Sequence, residues 1–279
     1  MARPPRPEEE YINCSVKQYR ISFIGAGKVS GALCRQMHQS GFRIQKIISR
    51  TRESGRALAR SCDAIWSSAY EFSDSEDVII VAVPDDKLPE ILSQIKSPGS
   101  TVIAHTAGSL GLDIFPASLR HTGVFYPLQT FSENRNISFD ELPLFLEASD
   151  DYSSAILKAI AESIGCKVFF TDTGHRRLLH IAAVFACNFT NQMLTAGKQI
   201  AMEAGFNFEV LRPLIDETII KALEEGPDHS QTGPAIRSDI GTIKRHIDLL
   251  SFSPELQGIY KEVTKSIMKF YKTASDDQF

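Results

Sequence analysis

The chain has two parts that differ in their pattern of hydrophobic and polar positions. Up to about Thr171, short runs of β-branched and other apolar residues alternate with amphipathic stretches. Short apolar runs predict β-strands, whereas apolar residues that recur with the helical period predict helices. The predicted strands of this part are 20–25, 42–49, 78–83, 101–105, 123–126, 144–148 and 167–171, and its predicted helices are 28–40, 53–61, 86–95 and 152–164.

Strands that alternate with helices predict βαβ units and therefore a mostly parallel sheet. The run 78–83 is apolar at every position, which is typical of a strand whose sheet is covered on both faces. We therefore expect an α/β fold of the Rossmann type, with a doubly wound sheet between layers of helices.

Strand signals stop after Asp172, and the rest of the chain predicts only helices, at 175–204, 207–225, 234–250 and 253–272. Gly205 and Gly226 stand where helices commonly end, and Pro254 is at the first position of the fourth helix. The pattern thus predicts a disordered lead-in over residues 1–17, an α/β domain over 18–172 and an all-helical C-terminal domain over 173–279.

Composition narrows the class of protein. There are 30 Lys and Arg against 34 Asp and Glu, a net charge of -4, and we expect no nucleic-acid partner because such proteins need a basic surface. The apolar run 78–83 is far shorter than the roughly 20 residues of a membrane span, and the N-terminus lacks the apolar core of a signal peptide. The five scattered cysteines include no C-x-x-C pair, which predicts reduced thiols in the cytoplasm and no metal site.

The clearest chemical motif lies between the first predicted strand and helix. Gly25-Ala26-Gly27-Lys28-Val29 is followed by a small residue, Ser30, as in the G-x-G-x-x-G turn of dinucleotide-binding proteins. Gly25 allows the tight turn, and Gly27 lets the backbone approach a pyrophosphate, which the helix N-terminus attracts. The motif predicts a dinucleotide site; the alternative is a glycine-rich turn in a fold that has lost its ligand.

The end of the second predicted strand indicates which dinucleotide is bound. An NAD site usually has Asp or Glu there for the ribose 2′-hydroxyl, whereas this chain has Ser49, Arg50 and Arg52 before its first carboxylate at Glu53. Because guanidinium groups bind phosphate, we predict NADP, with NAD less favoured. The alternative is that both arginines are solvated loop charges.

Two further strand ends fall on the same side of the predicted sheet. Val83 is the last residue of one predicted strand and Pro84 follows it; both are predicted to form an apolar wall beside the nicotinamide ribose, and the alternative is that Pro84 only ends the strand. Thr106 follows the next strand and is predicted to contact the cofactor, because ligands of such folds lie beyond the carboxyl ends of the strands. His105 beside it is either catalytic or a hydrogen-bonded structural residue.

These motifs, with a helical C-terminal part, resemble the 6-phosphogluconate-dehydrogenase-like superfamily, which includes pyrroline-5-carboxylate reductase and ketopantoate reductase. The sequence is more similar to a bacterial family of NADP oxidoreductases in which a Rossmann-like domain precedes a domain of unknown function. The segments that carry this resemblance are 105–108, 124–131, 180–188, 232–239 and its continuation to His246. The resemblance implies a homodimer that associates through the helical domain.

One position departs from the family pattern. The family usually has His before the proline of the segment 127–131, and this chain has Tyr126. A tyrosine can donate a proton, although its pKa of about 10 makes it a different acid. Tyr126 is therefore a candidate catalytic residue that would replace the family's histidine.

The first predicted helix of the C-terminal domain contains polar residues in an apolar stretch. At about 100° per residue, His180, Cys187 and Asn191 fall within roughly 20° of one line. In resembling dehydrogenases a Lys or His polarises the substrate carbonyl and an Asn orients it. We therefore predict His180 as proton donor, with Asn188 and Asn191 as orienting amides; the alternative is that they form packing hydrogen bonds inside a dimer core.

The segment 226–246 is a second candidate region. Asp239, Thr242 and His246 have the spacing of one helix face. A metal site is not expected, because no third ligand is evident. The segment either contributes to the substrate site or forms a structural network.

Taken together, the sequence predicts an NADP-dependent oxidoreductase. Hydride would pass between NADP(H) and a small carbonyl or imine compound in an interdomain cleft. The competing hypothesis is a non-catalytic NADP-binding sensor or partner-binding dimer. Tyr126, and the absence of a lysine in the place of His180 as candidate acid, favour that alternative.

Overall fold

The computed structural model describes residues 19–73, 76–132, 135 and 137–271, and the predicted lead-in over residues 1–17 lies outside them. The chain divides into a first compact unit that ends at Phe185 and a second that begins at Ala186. The sequence placed this boundary after Asp172. The helix that follows Asp172 is part of the first unit.

The first unit contains a sheet whose described strands are β1 (Arg20–Ile24), β2 (Arg43–Ile48), β3 (Ile65–Ser67), β4 (Val78–Val81), β5 (Val102–His105), β6 (His121–Pro127), β7 (Pro143–Ala148) and β8 (Lys167–Phe170). The strand order is β3-β2-β1-β4-β5-β6-β7-β8. Neighbouring strands are parallel except β6 and β7. The order reverses between β1 and β4, which is the switch point of a doubly wound fold, and the predicted fold class is confirmed.

The helices of the first unit are α1 (Lys28–Gln39), α2 (Arg52–Ser61), α3 (Leu88–Gln94), α4 (Asp151–Ser163) and α5 (Thr173–Ala183). Strand β4 shows how they bury both faces of the sheet. Val78 and Ile80 belong to one hydrophobic cluster, whereas Ile79 and Val81 belong to another. Since successive side chains of a strand point to opposite faces, all four are buried, which explains the continuous apolar run.

Two local expectations were wrong. Strand β3 was not predicted because it has only three residues at the sheet edge and its Ile65 is 71% exposed, so it gives no apolar run. The helix predicted over 234–250 starts late: Ser238 has a φ of 54°, and the helix begins at Ile240, where the Asp239 carboxylate accepts the Thr242 N–H at 3.0 Å.

The second unit is helical, as predicted. Its helices are α6 (Thr190–Glu203), α7 (Arg212–Glu225), α8 (Ile240–Leu249) and α9 (Pro254–Phe270). Two small clusters form its core, one of Ala196, Leu250 and Leu256 and the other of Ala235, Ile243 and Met268. None of the helices in the described part of the chain is both long and apolar enough to cross a membrane.

A π-helix, Val184–Phe189, joins α5 to α6. Its hydrogen bonds run from residue i to i+5 in a wider turn than that of an α-helix. The constant rotation of about 100° per residue therefore does not hold along this stretch. The prediction that His180, Cys187 and Asn191 share one line loses this support and stays a prediction.

His105, at the end of β5, is a structural residue. Its side chain is fully buried, its Nδ1 accepts the Ala107 N–H at 3.2 Å, and its Nε2 lies 3.3 Å from the Gly111 carbonyl oxygen. These two contacts suit a neutral imidazole with its proton on Nε2. Burial lowers the His105 pKa to about 4, and the charge of Arg176 also lowers it, against the raising effect of the Gly111 hydrogen bond. The neutral ring of His105 therefore holds the loop after β5 in place.

We expect the neutral His105 to make stability depend on pH. Its pKa is about 4 in the fold and about 6.5 in the unfolded chain. The stabilisation is therefore complete above pH 6.5 and is lost as the pH falls towards 4, by about 2 kcal/mol at pH 5. Urea unfolding at pH 7.5 and 5 should show this loss in the wild type but not in His105→Asn, whose side chain does not titrate.

The matched control is His175→Asn, because His175 is exposed and hydrogen-bonded to the Asp172 carboxylate at 2.6 Å. It should leave the difference between the two pH values close to that of the wild type. An equal pH dependence in wild type and His105→Asn would contradict the assignment of a buried neutral ring.

Candidate functional site

The turn between β1 and α1 is fixed by close packing at Gly25. Its φ is +113°, and a Cβ there would lie 2.1 Å from the carbonyl oxygen of Ala82. The Gly25 N–H donates to the Ile48 carbonyl at 2.7 Å, and the fully buried Ser30 hydroxyl donates to the Gly25 carbonyl at 2.7 Å. Only glycine adopts this φ without strain and has no Cβ that would clash with the Ala82 carbonyl, so Gly25 determines the path of the chain into α1.

The N-terminus of α1 faces open space. Gly27 is its N-cap residue, no side chain caps the helix, and its first turn contains no acidic residue. Apart from its neighbours in the chain, no heavy atom of the described residues lies within 4 Å of the position that a Cβ of Gly27 would occupy. The free N–H groups and the positive end of the helix dipole therefore remain available to an anion that approaches along Gly27.

A cavity of about 1040 Å³ lies at the carboxyl ends of β1, β2 and β4. It brings together seven of the predicted cofactor-binding residues: Gly25, Ala26, Gly27, Ser49, Arg50, Val83 and Pro84. The other predicted residues do not line it: Lys28, Val29, Arg52 and Thr106. The glycine turn and the segment after β2 thus meet in one cavity.

The four residues outside the cavity lining have other surroundings. Lys28 is exposed, and Val29 packs against the hydrophobic core of the first unit. The Thr106 N–H donates to the Val81 carbonyl at 3.2 Å. The guanidinium carbon of Arg52 lies 5.8 Å from the ring centroid of Trp66, a cation–π contact. Their roles toward a cofactor stay predictions.

The cavity wall formed by the segment after β2 suits an anion. Ser49, Arg50, Thr51 and Ser54 line it, Glu53 does not, and the carboxylates that line the cavity, Asp86 and Glu90, come from the segment after β4. Arg50 is exposed and forms no salt bridge with a described carboxylate. The Ser49 hydroxyl is already used, because it donates to the Thr51 carbonyl at 2.8 Å and accepts from the Trp66 indole at 3.0 Å. Arg50 is therefore the charged group available at this wall.

A second group of polar side chains lies at β6 and α5, within the first unit. The Tyr126 hydroxyl is 3.0 Å from His180 Nδ1. A Cβ at Gly108 would lie 2.8 Å from both His180 Nδ1 and the Tyr126 ring. The glycine thus lets the loop after β5 pack against this pair. The structure brings together two of the predicted catalytic residues.

The phenol of Tyr126 is a protonated group at neutral pH. Burial raises its pKa, the Asp85 charge raises it further, and Arg176 acts in the opposite direction. Only 9% of Tyr126 is exposed, whereas His180 is half-buried. The Tyr126 hydroxyl can donate to Nδ1 of a neutral His180 or accept the Nδ1–H of a protonated one, and Nε2 carries an N–H in the protonated ring in either case.

A buried ion pair holds the helix that carries His180. Arg176, fully buried, forms a salt bridge with Glu147 of β7 and donates to the Leu110 carbonyl. The Thr173 hydroxyl donates to the same carboxylate at 2.9 Å. Removing one partner of such a pair typically costs about 3–5 kcal/mol. The pair fixes α5 against the sheet and the loop after β5.

Sequence reasoning missed Arg176 and Glu147. A charged residue at the start of a helix or on a strand normally reads as a surface position, and the two are far apart in the chain. The available signal was weak: Glu147 stands between two apolar residues of a predicted strand, whereas Arg176 lies between His175 and Arg177 and has no apolar context.

The remaining predicted site residues lie in the second unit. Asn188 and Asn191 are exposed, and their orienting role stays a prediction. Asp239 caps α8, and His246 Nδ1 is 2.9 Å from the Tyr260 hydroxyl of α9, so both have structural partners. No cluster of three or more His, Cys, Asp or Glu side chains suited to a metal occurs in the described ranges.

Two protein-family models match the chain. Residues 20–108 match the family described as NADP oxidoreductase coenzyme F420-dependent. Residues 142–267 match a domain of unknown function, DUF2520. A search of curated proteins gives no match.

Comparison with solved structures shows how similar this chain is to proteins of known structure. A candidate NADP oxidoreductase of Bacteroides fragilis is 37% identical, with a TM-score of 0.82 over 91% of this chain and 99% of that one. A protein of Thermotoga maritima is 24% identical, with a TM-score of 0.67 over 91% and 98%. An imine reductase of Myxococcus stipitatus in complex with NADP+ is 16% identical, with a TM-score of 0.65 over 91% and 95%.

The last two likenesses show the fold alone. The first extends over nearly the whole of both chains, and the two family models cover the nucleotide-binding and helical parts in the same order. The chain therefore belongs to the family of NADP oxidoreductases in which a nucleotide-binding domain of the coenzyme F420-dependent type precedes a DUF2520 domain.

Proposed function

We propose that the protein binds NADP(H) in the cavity at the ends of β1, β2 and β4 and transfers hydride to or from a small carbonyl or imine compound. The observation that carries the proposal is the cavity itself. It joins an uncapped helix N-terminus at Gly27 to a wall that presents Arg50 without a carboxylate. Both features attract phosphate, and a dinucleotide with a 2′-phosphate has anionic groups for each.

The residues present fit this cofactor. The open space at Gly27 is where a side chain would block the approach of a pyrophosphate to the N–H groups of α1. Arg50 is placed for the 2′-phosphate, with the hydroxyls of Thr51 and Ser54 beside it. Val83 and Pro84 give the cavity an apolar wall at the end of β4. NADP is thus the better fit, with NAD as the weaker alternative.

When bound, NADP(H) donates or accepts a hydride at its nicotinamide ring. Reduction of a carbonyl or imine also requires a proton at the oxygen or nitrogen. We assign this proton to Nε2 of protonated His180, which becomes a neutral imidazole with its remaining proton on Nδ1. Tyr126 holds Nδ1 of the same ring at 3.0 Å and so fixes which nitrogen keeps its proton.

Four expectations stay predictions from the sequence. They are the interdomain cleft, the orienting role of Asn188 and Asn191, the substrate and dimerisation role of residues 173–279, and a cytoplasmic location. The small carbonyl or imine substrate is a proposal on chemical grounds.

We expect Arg50→Gln to weaken NADPH binding and to leave NADH binding nearly unchanged. A charged hydrogen bond contributes about 1.5–3 kcal/mol, which corresponds to roughly a 10- to 100-fold rise in Kd. Fluorescence titration with each nucleotide measures this directly. The control is Arg56→Gln, because Arg56 is exposed on α2, stacks on Trp66 at 5.3 Å and does not line the cavity.

An equal loss of affinity for NADPH and NADH would show that Arg50 does not read the 2′-phosphate. If the wild type bound neither nucleotide, the whole proposal would fail.

We expect His180→Gln to lower kcat by roughly 100-fold or more, as loss of a general acid does, with little effect on the Kd for NADPH. Tyr126→Phe should cause a smaller loss, since it removes only the group that holds Nδ1. NADPH oxidation against a panel of keto acids, imines and a deazaflavin supplies the assay. The matched control is His175→Gln, an exposed histidine on the same helix.

A His180→Gln variant with wild-type turnover would remove the proposed acid. Tight NADPH binding by the wild type without turnover of any compound in the panel would favour the alternative function, an NADP-binding sensor or partner-binding dimer.

We also propose that a second copy of the chain covers the apolar surface of the second unit. Helix α7 has no buried residue, yet Leu214 is 65% and Leu223 is 82% exposed. Other large apolar side chains of this unit are more than half exposed: Met202, Phe206, Val210, Leu249 and Phe270. So many exposed apolar groups mark an interaction surface, and homo-oligomers with two-fold symmetry are the commonest assemblies.

We expect the wild type to elute at twice the monomer mass in light-scattering chromatography, because burial of these apolar side chains favours association. The double variant Leu214→Glu with Leu223→Glu should be monomeric while retaining the far-ultraviolet circular dichroism of a helical protein. Arg60→Glu, an exposed change on α2, is the control and should remain dimeric. A monomeric wild type at micromolar concentration would exclude the proposed homodimer.

A further inference from the structure

Two buried cysteines lie in contact beneath the nucleotide-binding part of the fold. Cys34 is on α1 and Cys62 is the residue that follows α2. Their Sγ atoms are 3.0 Å apart, with Cys34 donating its S–H. Both residues belong to the hydrophobic core, with 0% and 1% exposure. Neither has a role in the proposed oxidoreductase chemistry, so the pair needs a separate explanation.

The contact makes the two thiols unequal. The hydrogen bond from Cys34 lowers the pKa of Cys62, and the charges of His38 and Arg35 act in the same direction, against the effect of burial. The same contact and burial raise the pKa of Cys34. The contact therefore makes Cys62 the more acidic thiol of the pair and leaves the proton on Cys34, so the two sulfurs can act as an attacking and a resolving thiol.

Neither Cys166 nor Cys187 has this arrangement. Burial alone raises the pKa of Cys166 to about 12, and no second thiol contacts it among the described residues. Cys187 is exposed. A bond between Cys34 and Cys62 requires their sulfurs to move together by about 1 Å, to the length of roughly 2.05 Å that a disulfide has. The pair is thus placed for a reaction that the two other described cysteines cannot share.

We propose that Cys34 and Cys62 form a reversible disulfide when the protein reacts with hydrogen peroxide, and that this bond fastens α1 to the end of α2. The Cys62 thiolate attacks one peroxide oxygen, an S–O bond forms, the O–O bond breaks and the leaving oxygen is protonated to water. Cys34 then loses its proton as its sulfur attacks the sulfenic acid, an S–S bond forms and the second oxygen leaves as water. Two thiols are oxidised and one peroxide is reduced to two waters.

The bond would connect the two helices that border the nucleotide cavity. Helix α1 carries the phosphate-binding N-terminus, and α2 follows the segment of Arg50. Since a cross-link restricts the unfolded chain, the oxidised protein should also resist unfolding better than the reduced one. This inference does not depend on the proposed hydride transfer.

Peptide mapping of the wild-type protein tests the proposal. The full chain is treated with hydrogen peroxide, free thiols are blocked with N-ethylmaleimide, and a non-reducing tryptic digest is analysed by mass spectrometry. The expected product joins peptide 29–35, which holds Cys34, to peptide 61–87, which holds Cys62. It should be two hydrogens lighter than the separate peptides and should disappear after treatment with dithiothreitol, with two of the five thiols lost and regained.

Variants give a second measurement. Oxidation should raise the urea midpoint of the wild type. It should do the same for Cys166→Ser, because peptide 159–167 takes no part in the link. It should not raise the urea midpoint of Cys62→Ser. If Cys34 and Cys62 are both blocked by N-ethylmaleimide after peroxide treatment, or if Cys34 is linked as often to another cysteine, the proposal is wrong. The wild-type map decides this even if a variant does not fold.

Discussion

The close approach of two strand ends at Gly25 is the constraint on which the nucleotide cavity depends. There is no room for a Cβ between Gly25 and the carbonyl oxygen of Ala82, at 2.1 Å, so β1 and β4 can turn away from each other only through a glycine. The Ser30 hydroxyl holds the Gly25 carbonyl from the side of α1. Because the turn is fixed at both ends, the N–H groups of α1 face the cavity without a capping side chain. The packing around Gly25 therefore also keeps the N-terminus of α1 open to the cavity.

Burial of charge organises the other end of the sheet. Arg176 is fully buried beside Glu147, and its Nε has no partner among the described residues. A buried ion pair with an unsatisfied donor contributes little net stability, so its main effect is geometric: it ties α5 to β7 and to the loop after β5. Its charge also helps to keep His105 neutral. The buried Arg176 cation therefore fixes the position of α5 and helps to keep the His105 ring neutral.

The sequence predicted what depends on local pattern. Short stretches whose period or composition indicates one structure predicted the strands β1, β2 and β4. Such stretches also predicted the glycine turn and the segment of Arg50, which has no carboxylate before Glu53. What depends on tertiary context was missed. Strand β3 is too short and too exposed to give a pattern, Ser238 adopts a positive φ that no local residue signals, and the π-helix before α6 changes the helical period. Arg176 and Glu147 are charged residues whose burial only their mutual contact makes possible.

The contact between Tyr126 and His180 shows why a tyrosine can stand at this position without being the acid itself. Burial raises the pKa of the phenol, so it holds its proton more firmly than a free tyrosine and exchanges it poorly near neutral pH. The half-buried imidazole of His180 retains contact with solvent, from which its proton can be replaced. Hydride transfer needs a proton that is both placed and replaceable. In this pair the phenol supplies the placement and the imidazole supplies the replaceable proton, which is why the two residues are assigned different roles.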